Sequence, residues 1–317
     1  MKKYVCILIV FFSSLVNSCF AQKNSFTIVP LGVRGGSDES NLSAYLIAPK
    51  DSSNFICLDA GTLYDGLKAA RRHHLFKGDI DNFLQEHIKG YLITHGHLDH
   101  VAGLILNSPE DAKKNIYALP FCINILKSKY FTWTSWANFA NEGEHPFLKK
   151  YTYKYLHEGK EMAINNTAMF VTPYRLSHAV PGKSTAFLIR HNDEYFLYLG
   201  DTGDDENEQS NNLKNLWKAV APLVATRKLK GISIECSFPD EQPDDRLFGH
   251  LKPTLLMKNL NILDSLAGKN TLKNMPIIVA HMKPSGNNVQ AIRDELAKEN
   301  YLGVNFIFPK QGKKIEL

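Results

Sequence analysis

Beyond residue 24 the chain alternates short apolar runs with turn-forming sequences. Residues 26–33, 44–48 and 55–58 read as strands, separated by Arg34-Gly35-Gly36 and by Asp51-Ser52-Ser53-Asn54. The period then lengthens. Helical patterns cover 63–72 and 80–88, and a strand follows over 91–94. Residues 185–191 and 195–199, with Asn192-Asp193 between them, predict a hairpin. The second half repeats the alternation, with helices over 213–225, 254–266 and 289–298 and strands over 231–234, 277–280 and near 304–307. Strands first, then strands mixed with helices, predict an α/β protein with two sheets packed face to face and helices outside. No repeat and no long linker divides the chain, so residues 22–317 read as a single domain. The aromatic-rich stretch 121–172 reads as an elaboration on it.

The first 21 residues stand apart. Lys2 and Lys3 precede an apolar run over 4–16, and Asn17, Ser18, Cys19, Phe20 and Ala21 follow. That is the layout of a bacterial signal peptide, and it predicts an exported product, periplasmic or secreted. The run falls short of the roughly 20 residues a spanning helix needs, so no transmembrane segment is expected. A cut between Ala21 and Gln22 suits a soluble product, while residues 16–19 also resemble a lipoprotein site with Cys19 as the lipidated residue. Losing Lys2 and Lys3 takes the formal net charge from +5 to +3, too mild to indicate nucleic acid or a membrane surface as partner. The remaining cysteines, Cys57, Cys122 and Cys236, are odd in number and lack metal-type spacing, and are expected as buried free thiols.

The densest chemistry lies in Thr94-His95-Gly96-His97-Leu98-Asp99-His100, three imidazoles and a carboxylate directly after an apolar strand. A tight loop there can point alternate side chains at two neighbouring positions. His95 and His97 suit one metal ion, and Asp99 and His100 a second; nitrogen and carboxylate donors suit Zn2+.

This pattern resembles the defining motif of the metallo-β-lactamase superfamily. The resemblance implies a four-layer αβ/βα sandwich with two divalent metal ions at one edge. It also implies three later ligands, matched by His178, Asp201 and His281, each just past an apolar run. It places His95, His97 and His178 on one ion, Asp99, His100 and His281 on the other, and Asp201 between them. Asp59 matches a superfamily position that supports the ligands from behind, although a turn-capping role fits it as well.

The longer phrase over 94–104 is similar to that of the class II 3′,5′-cyclic-nucleotide phosphodiesterases. Two further blocks join it, Ile234-Glu235-Cys236-Ser237-Phe238-Pro239 with Leu247-Phe248-Gly249-His250-Leu251-Lys252-Pro253, and Ala280-His281-Met282-Lys283-Pro284. The implied activity is hydrolysis of a cyclic nucleotide, cAMP or cGMP, to the 5′-nucleotide. Glu235 and His250 also resemble a similarly ordered pair in the transfer-RNA 3′-processing endonucleases. A phosphodiesterase must protonate its leaving sugar oxygen, which gives His250 a catalytic role and Glu235 the task of holding it protonated. Asp99 is the candidate acceptor of the nucleophile's proton.

Two other readings stay open: another exported dinuclear-metal phosphodiesterase or ribonuclease of this fold, and a metal-stabilised binding domain without catalysis. His73, His74, His145, His157 and His191 lack partners at metal spacing. The acidic run Asp204-Asp205-Glu206-Asn207-Glu208 is expected as a solvated loop. Tyr130, Phe131, Trp133, Trp136 and Phe139 suit base stacking, a homodimer interface or core packing, and packing is the reading kept.

Overall fold

Phe26-Thr27-Ile28-Val29-Pro30-Leu31-Gly32 is buried along its whole length, which is why it reads as one apolar run and not as an alternation. In the computed structural model, which describes residues 25–317, this segment is strand β1 (Phe26–Gly32). The proposed signal, residues 1–21, lies outside the described residues. The first half continues as β2 (Ala44–Pro49), β3 (Phe55–Leu58), α1 (Tyr64–Arg72), α2 (Ile80–His87), β4 (Ile88–Leu92), α3 (Leu98–Leu106), β5 (Lys114–Ala118), α4 (Pro120–Ile125) and β6 (Tyr151–Tyr155). The second half contains β7 (Met162–Ile164), β8 (Met169–Ser177), β9 (Lys183–His191), β10 (Glu194–Leu199), α5 (Asn212–Ala225), β11 (Leu229–Glu235), α6 (Pro253–Ala267), β12 (Pro276–Ala280), α7 (Asn288–Glu299), β13 (Asn305–Ile307) and β14 (Ile315–Glu316).

Among the described residues two seven-stranded sheets form, in the orders β14-β1-β2-β3-β4-β5-β6 and β13-β12-β11-β10-β9-β8-β7. Their inner faces meet through Ile28, Tyr45, Ile56 and Leu58 on one side and Phe187, Ile189, Phe196 and Tyr198 on the other. The outer face of the first sheet packs Val29, Leu46 and Tyr91 against helical Leu67, Phe83, Leu104 and Ile123. The outer face of the second packs Leu197, Ile232 and Ile277 against Trp217, Leu260 and Leu296. Helices, sheet, sheet, helices: this is the four-layer αβ/βα sandwich.

Among the elements that escape the pattern reading, β5, β6 and α3 do so for identifiable physical reasons. β5 opens on Lys114, a charge made tolerable by Asp111 and the carbonyl of Leu84. β6, Tyr-Thr-Tyr-Lys-Tyr, is a polar-looking edge strand paired only with β5. Both lie beside a cluster in which Tyr91 and Tyr151 donate to Asp111 Oδ2 at 2.6 and 2.8 Å. α3 begins inside the His-rich motif, whose chemistry masks its helical period.

The stretch 121–172 supplies β6 to one sheet and β7 with the start of β8 to the other. Its rings pack: Phe131 is buried, and Trp136 Nε1 donates to Ser108 Oγ. Cys57, Cys122 and Cys236 are buried free thiols.

The topology positions the chemistry. β3 and β4 are parallel, as are β10, β11 and β12, and β8 runs with β10 because both are antiparallel to β9. Segments leaving the C-terminal ends of these strands converge on one edge of the sandwich.

Candidate metal centre

Each chemical residue named from the sequence leaves such a strand end or its following turn. Asp59 follows β3; His95 and His97 follow β4; Asp99 and His100 occupy the first turn of α3. His178 follows β8, Asp201 follows β10, Glu235 ends β11 and His281 follows β12. Gly35 and Gly96 make the convergence possible. A Cβ on Gly35 would stand 2.3 Å from the His281 ring, and one on Gly96 would stand 2.5 Å from Ile125. Both notches admit only glycine.

Two overlapping donor sets result. His95, His97, His178 and Asp201 present ligand atoms within 4.8 Å of one another, and so do Asp99, His100, Asp201 and His281. Asp201 is buried at the centre, with Oδ1 3.3 Å from His100 Nε2 and Oδ2 3.1 Å from His281 Nε2. These are the groupings the motif implied, shared carboxylate included.

A second tier of hydrogen bonds fixes which nitrogen of each ring faces the centre. His100 Nδ1 donates to Asp59 Oδ2 at 2.8 Å, and His178 Nδ1 to the Gly249 carbonyl at 2.8 Å. Thr94 Oγ1 donates to Asp59 and accepts from His95 Nδ1 at 2.9 Å. Ser237 Oγ accepts from His281 Nδ1 at 3.0 Å and donates to Glu235 Oε2 at 2.5 Å. With Nδ1 engaged in four rings, their Nε2 atoms are left as lone pairs aimed inward. Among the described residues His95 Nε2 and His100 Nε2 are buried with no partner in hydrogen-bonding geometry. Buried polar atoms are rarely left so, and two of them facing one carboxylate fit a pair of cations.

The electrostatics agree. Burial and then the neighbouring His100 hold His95 well below an ordinary imidazole. Burial works against charge on Asp201, yet His100 and His281 keep it well below the ordinary carboxylate range. Asp99 likewise resists burial through His100 and His281 and stays low. These carboxylates are stabilised by whatever positive charge stands among the rings, a task divalent ions would perform.

Beside the two sets lies a third group. His250 Nδ1 is 2.8 Å from Glu235 Oε1, and both are buried. Burial opposes a charged His250, but Glu235 carries it above the ordinary imidazole value. His250 is not the cap of α6: Lys252 holds the N-cap position without a side-chain capping bond, and Asp240 Oδ1 accepts from Thr254 N at 2.9 Å. A cleft of about 520 Å3 opens over the centre, lined by His97, Asp99, His178, Asp201 and His250 with Gly36, Leu98, Phe248 and Lys283.

Sequence reasoning missed the supporting atoms: Ser237, Thr94, the Gly249 carbonyl, and the Gly36 N–H that donates to Asp99 Oδ2 at 3.0 Å. Only Gly35-Gly36 carried a signal, a glycine pair where backbone had to come close. The acidic run is a correction. Asp204 and Glu208 are buried, Asp204 accepting from Asn259 Nδ2 at 2.8 Å and Glu208 from Val180 N at 3.1 Å. Of the remaining histidines, His73, His74, His145 and His157 are exposed, and none of these or His191 joins a donor set.

Comparison with known proteins adds independent findings. The family model for class-II cAMP phosphodiesterases matches residues 20–312. The chain is 42% identical to a 3′,5′-cyclic-nucleotide phosphodiesterase of Aliivibrio fischeri, over 95% of this chain and 96% of that one. It is 37% identical to a probable 3′,5′-cyclic-nucleotide phosphodiesterase of Yersinia pestis, over 91% of this chain and 88% of the relative. Its fold is shared with unliganded yeast PDE1, with a TM-score of 0.80 at 23% identity over 93% of this chain and 100% of that one. The human short-form tRNase Z shares it more distantly, with a TM-score of 0.51 at 15% identity over 91% of this chain and 98% of that chain.

Proposed function

The chain belongs to the class-II cAMP phosphodiesterase family, and on that premise we propose how its site hydrolyses 3′,5′-cyclic nucleotides to 5′-nucleotides. One observation carries the reading: two donor sets share Asp201, two orphaned imidazole nitrogens face it, and the Glu235–His250 pair stands alongside. Two divalent ions, zinc on this donor set, would neutralise charge on the phosphoryl group and acidify a water when bound. His95, His97 and His178 would hold one ion and Asp99, His100 and His281 the other, with Asp201 available to both.

The chain's own residues do the rest. His250 keeps one proton on Nδ1 toward Glu235 and delivers another from Nε2 to the departing 3′-oxygen, which leaves poorly as an alkoxide. Asp99 Oδ2 accepts from Gly36 N and stands in the donor set 3.1 Å from His281 Nε2, whereas Oδ1 has no hydrogen-bond partner among the described residues. That oxygen is the candidate acceptor for the nucleophile's proton. A ribonuclease reading draws on the shared fold and on the ordered Glu235–His250 pair, and no relative named above as a cyclic-nucleotide phosphodiesterase supports it.

Purified enzyme is expected to convert cAMP to 5′-AMP, to lose that activity to a chelator, and to contain close to two metal ions per chain. Asp201→Ala should lower metal content and turnover together, because it removes the only shared ligand. Full activity in that variant would sink the two-metal reading. We also propose that the enzyme works outside the cytoplasm, on the strength of the basic and apolar layout of residues 1–21.

A further inference from the structure

We propose that Phe248, with Leu98 of the same cleft lining, forms the nucleobase subsite, the base stacking on the Phe248 ring; this rests on the cyclic-nucleotide reading above. Three observations converge on it. The first is exposure. Large apolar side chains left in solvent are scattered singly over most protein surfaces. Here Phe248 and Leu98, 66% and 62% exposed, both line the one cleft that holds the donor sets. Val180, 60% exposed, follows Ala179 of the same lining.

The second observation is backbone. Phe248 sits at φ +52°, in the left-handed region that a bulky residue rarely enters, and is followed by Gly249 at φ +78°. The turn is needed, since the Gly249 carbonyl orients His178 and His250 N closes it on the Leu247 carbonyl at 3.1 Å. A turn alone would be served better by glycine or asparagine at position 248. Phenylalanine is disfavoured by its backbone and unburied by its side chain, so neither folding force accounts for it. Such conflicts concentrate where a ligand completes the packing.

The third is position. In a 3′,5′-cyclic nucleotide the leaving oxygen belongs to the ribose, so the group that protonates it marks the ribose side of phosphorus. The base must lie beyond, away from the donor sets. Phe248 stands two residues before His250, and its ring lies 6.4 Å from that of Phe238, which lies 5.9 Å from the His250 ring. Lys283, 5.6 Å from the Phe238 ring centre, lends the same mouth a positive charge suited to an anionic substrate.

The test compares cAMP with the methyl riboside 3′,5′-cyclic phosphate, which has the same reacting bond and no base. Phe248→Ala should raise KM for cAMP by roughly 10- to 100-fold, the range for one lost base–aromatic stack, with kcat little altered. The KM advantage of cAMP over the base-free substrate should collapse, and Phe248→Trp should restore it. An unchanged KM for cAMP, a parallel loss on both substrates, or no rescue by tryptophan would each overturn the subsite. Failure of the unaltered enzyme to cleave any cyclic nucleotide would instead overturn the reading of the whole site, and this inference with it.

Discussion

Ser237 Oγ touches Glu235, His281 and, at 3.3 Å, His250 Nδ1, so one hydroxyl links the Glu235–His250 pair to an imidazole of the second donor set. The two histidines are expected to have separable duties: His281 lies in the donor set with Asp99 and Asp201, whereas His250 meets His281 only in a set with Glu235, toward which its Nδ1 is turned at 2.8 Å. His250→Ala is therefore expected to leave metal content intact and to reduce turnover of cAMP by roughly 10²–10⁴, the usual range for a lost general acid. The loss should shrink on bis(4-nitrophenyl) phosphate, whose leaving group is acidic enough to depart unprotonated. Equal losses on both substrates with metals retained would count for positioning over proton donation. At this scale the ligands were legible and their supports were not. His178 or Asp201 is conspicuous just past an apolar run, whereas Ser237 and Thr94 are common residue types, and a backbone carbonyl such as Gly249 has no signature in sequence.

Helices and strands were legible where burial is continuous. α5 shows why: Leu213, Leu216, Trp217, Val220, Ala221 and Val224 recur at helical spacing and bury one stripe. What precedes α5 was misread, because charge in a sequence does not disclose whether it faces solvent or a helix end. Asn211 at the N-cap makes no side-chain capping bond. Asp205 does so from outside the helix, Oδ1 accepting from Leu213 N at 3.1 Å and Oδ2 from Lys214 N at 2.8 Å. Its charge also complements the helix dipole. Asp205→Ala is expected to cost about 0.5–2 kcal/mol, the usual value of a lost cap, seen as a lower Tm or denaturation midpoint. Asn207→Ala, at an exposed neighbour with no hydrogen bond among the described residues, should leave both unchanged. Identical curves for the two variants would show that Asp205 is a solvated charge after all.

The whole sandwich depends on both halves at once, since His95, His97, Asp99 and His100 come from the first sheet's edge and His178, Asp201 and His281 from the second's. β1 begins at Phe26, whose N–H donates to the Leu317 carbonyl at 2.9 Å, so both ends of the described fold are tied together after the proposed cut. An enzyme produced from Gln22 onward should therefore match the natural product in kcat/KM and Tm. Export is a proposal that rests on Lys2, Lys3 and the apolar run over 4–16, the layout an export machinery would read. In its own host the protein is expected to begin at Gln22 if soluble, or at a lipid-modified Cys19 if anchored, and the intact mass decides between them. The anchored form would follow the membrane fraction and leave it with detergent, whereas the soluble form would appear on osmotic release of the periplasm. Met1 retained on the mature protein would defeat both.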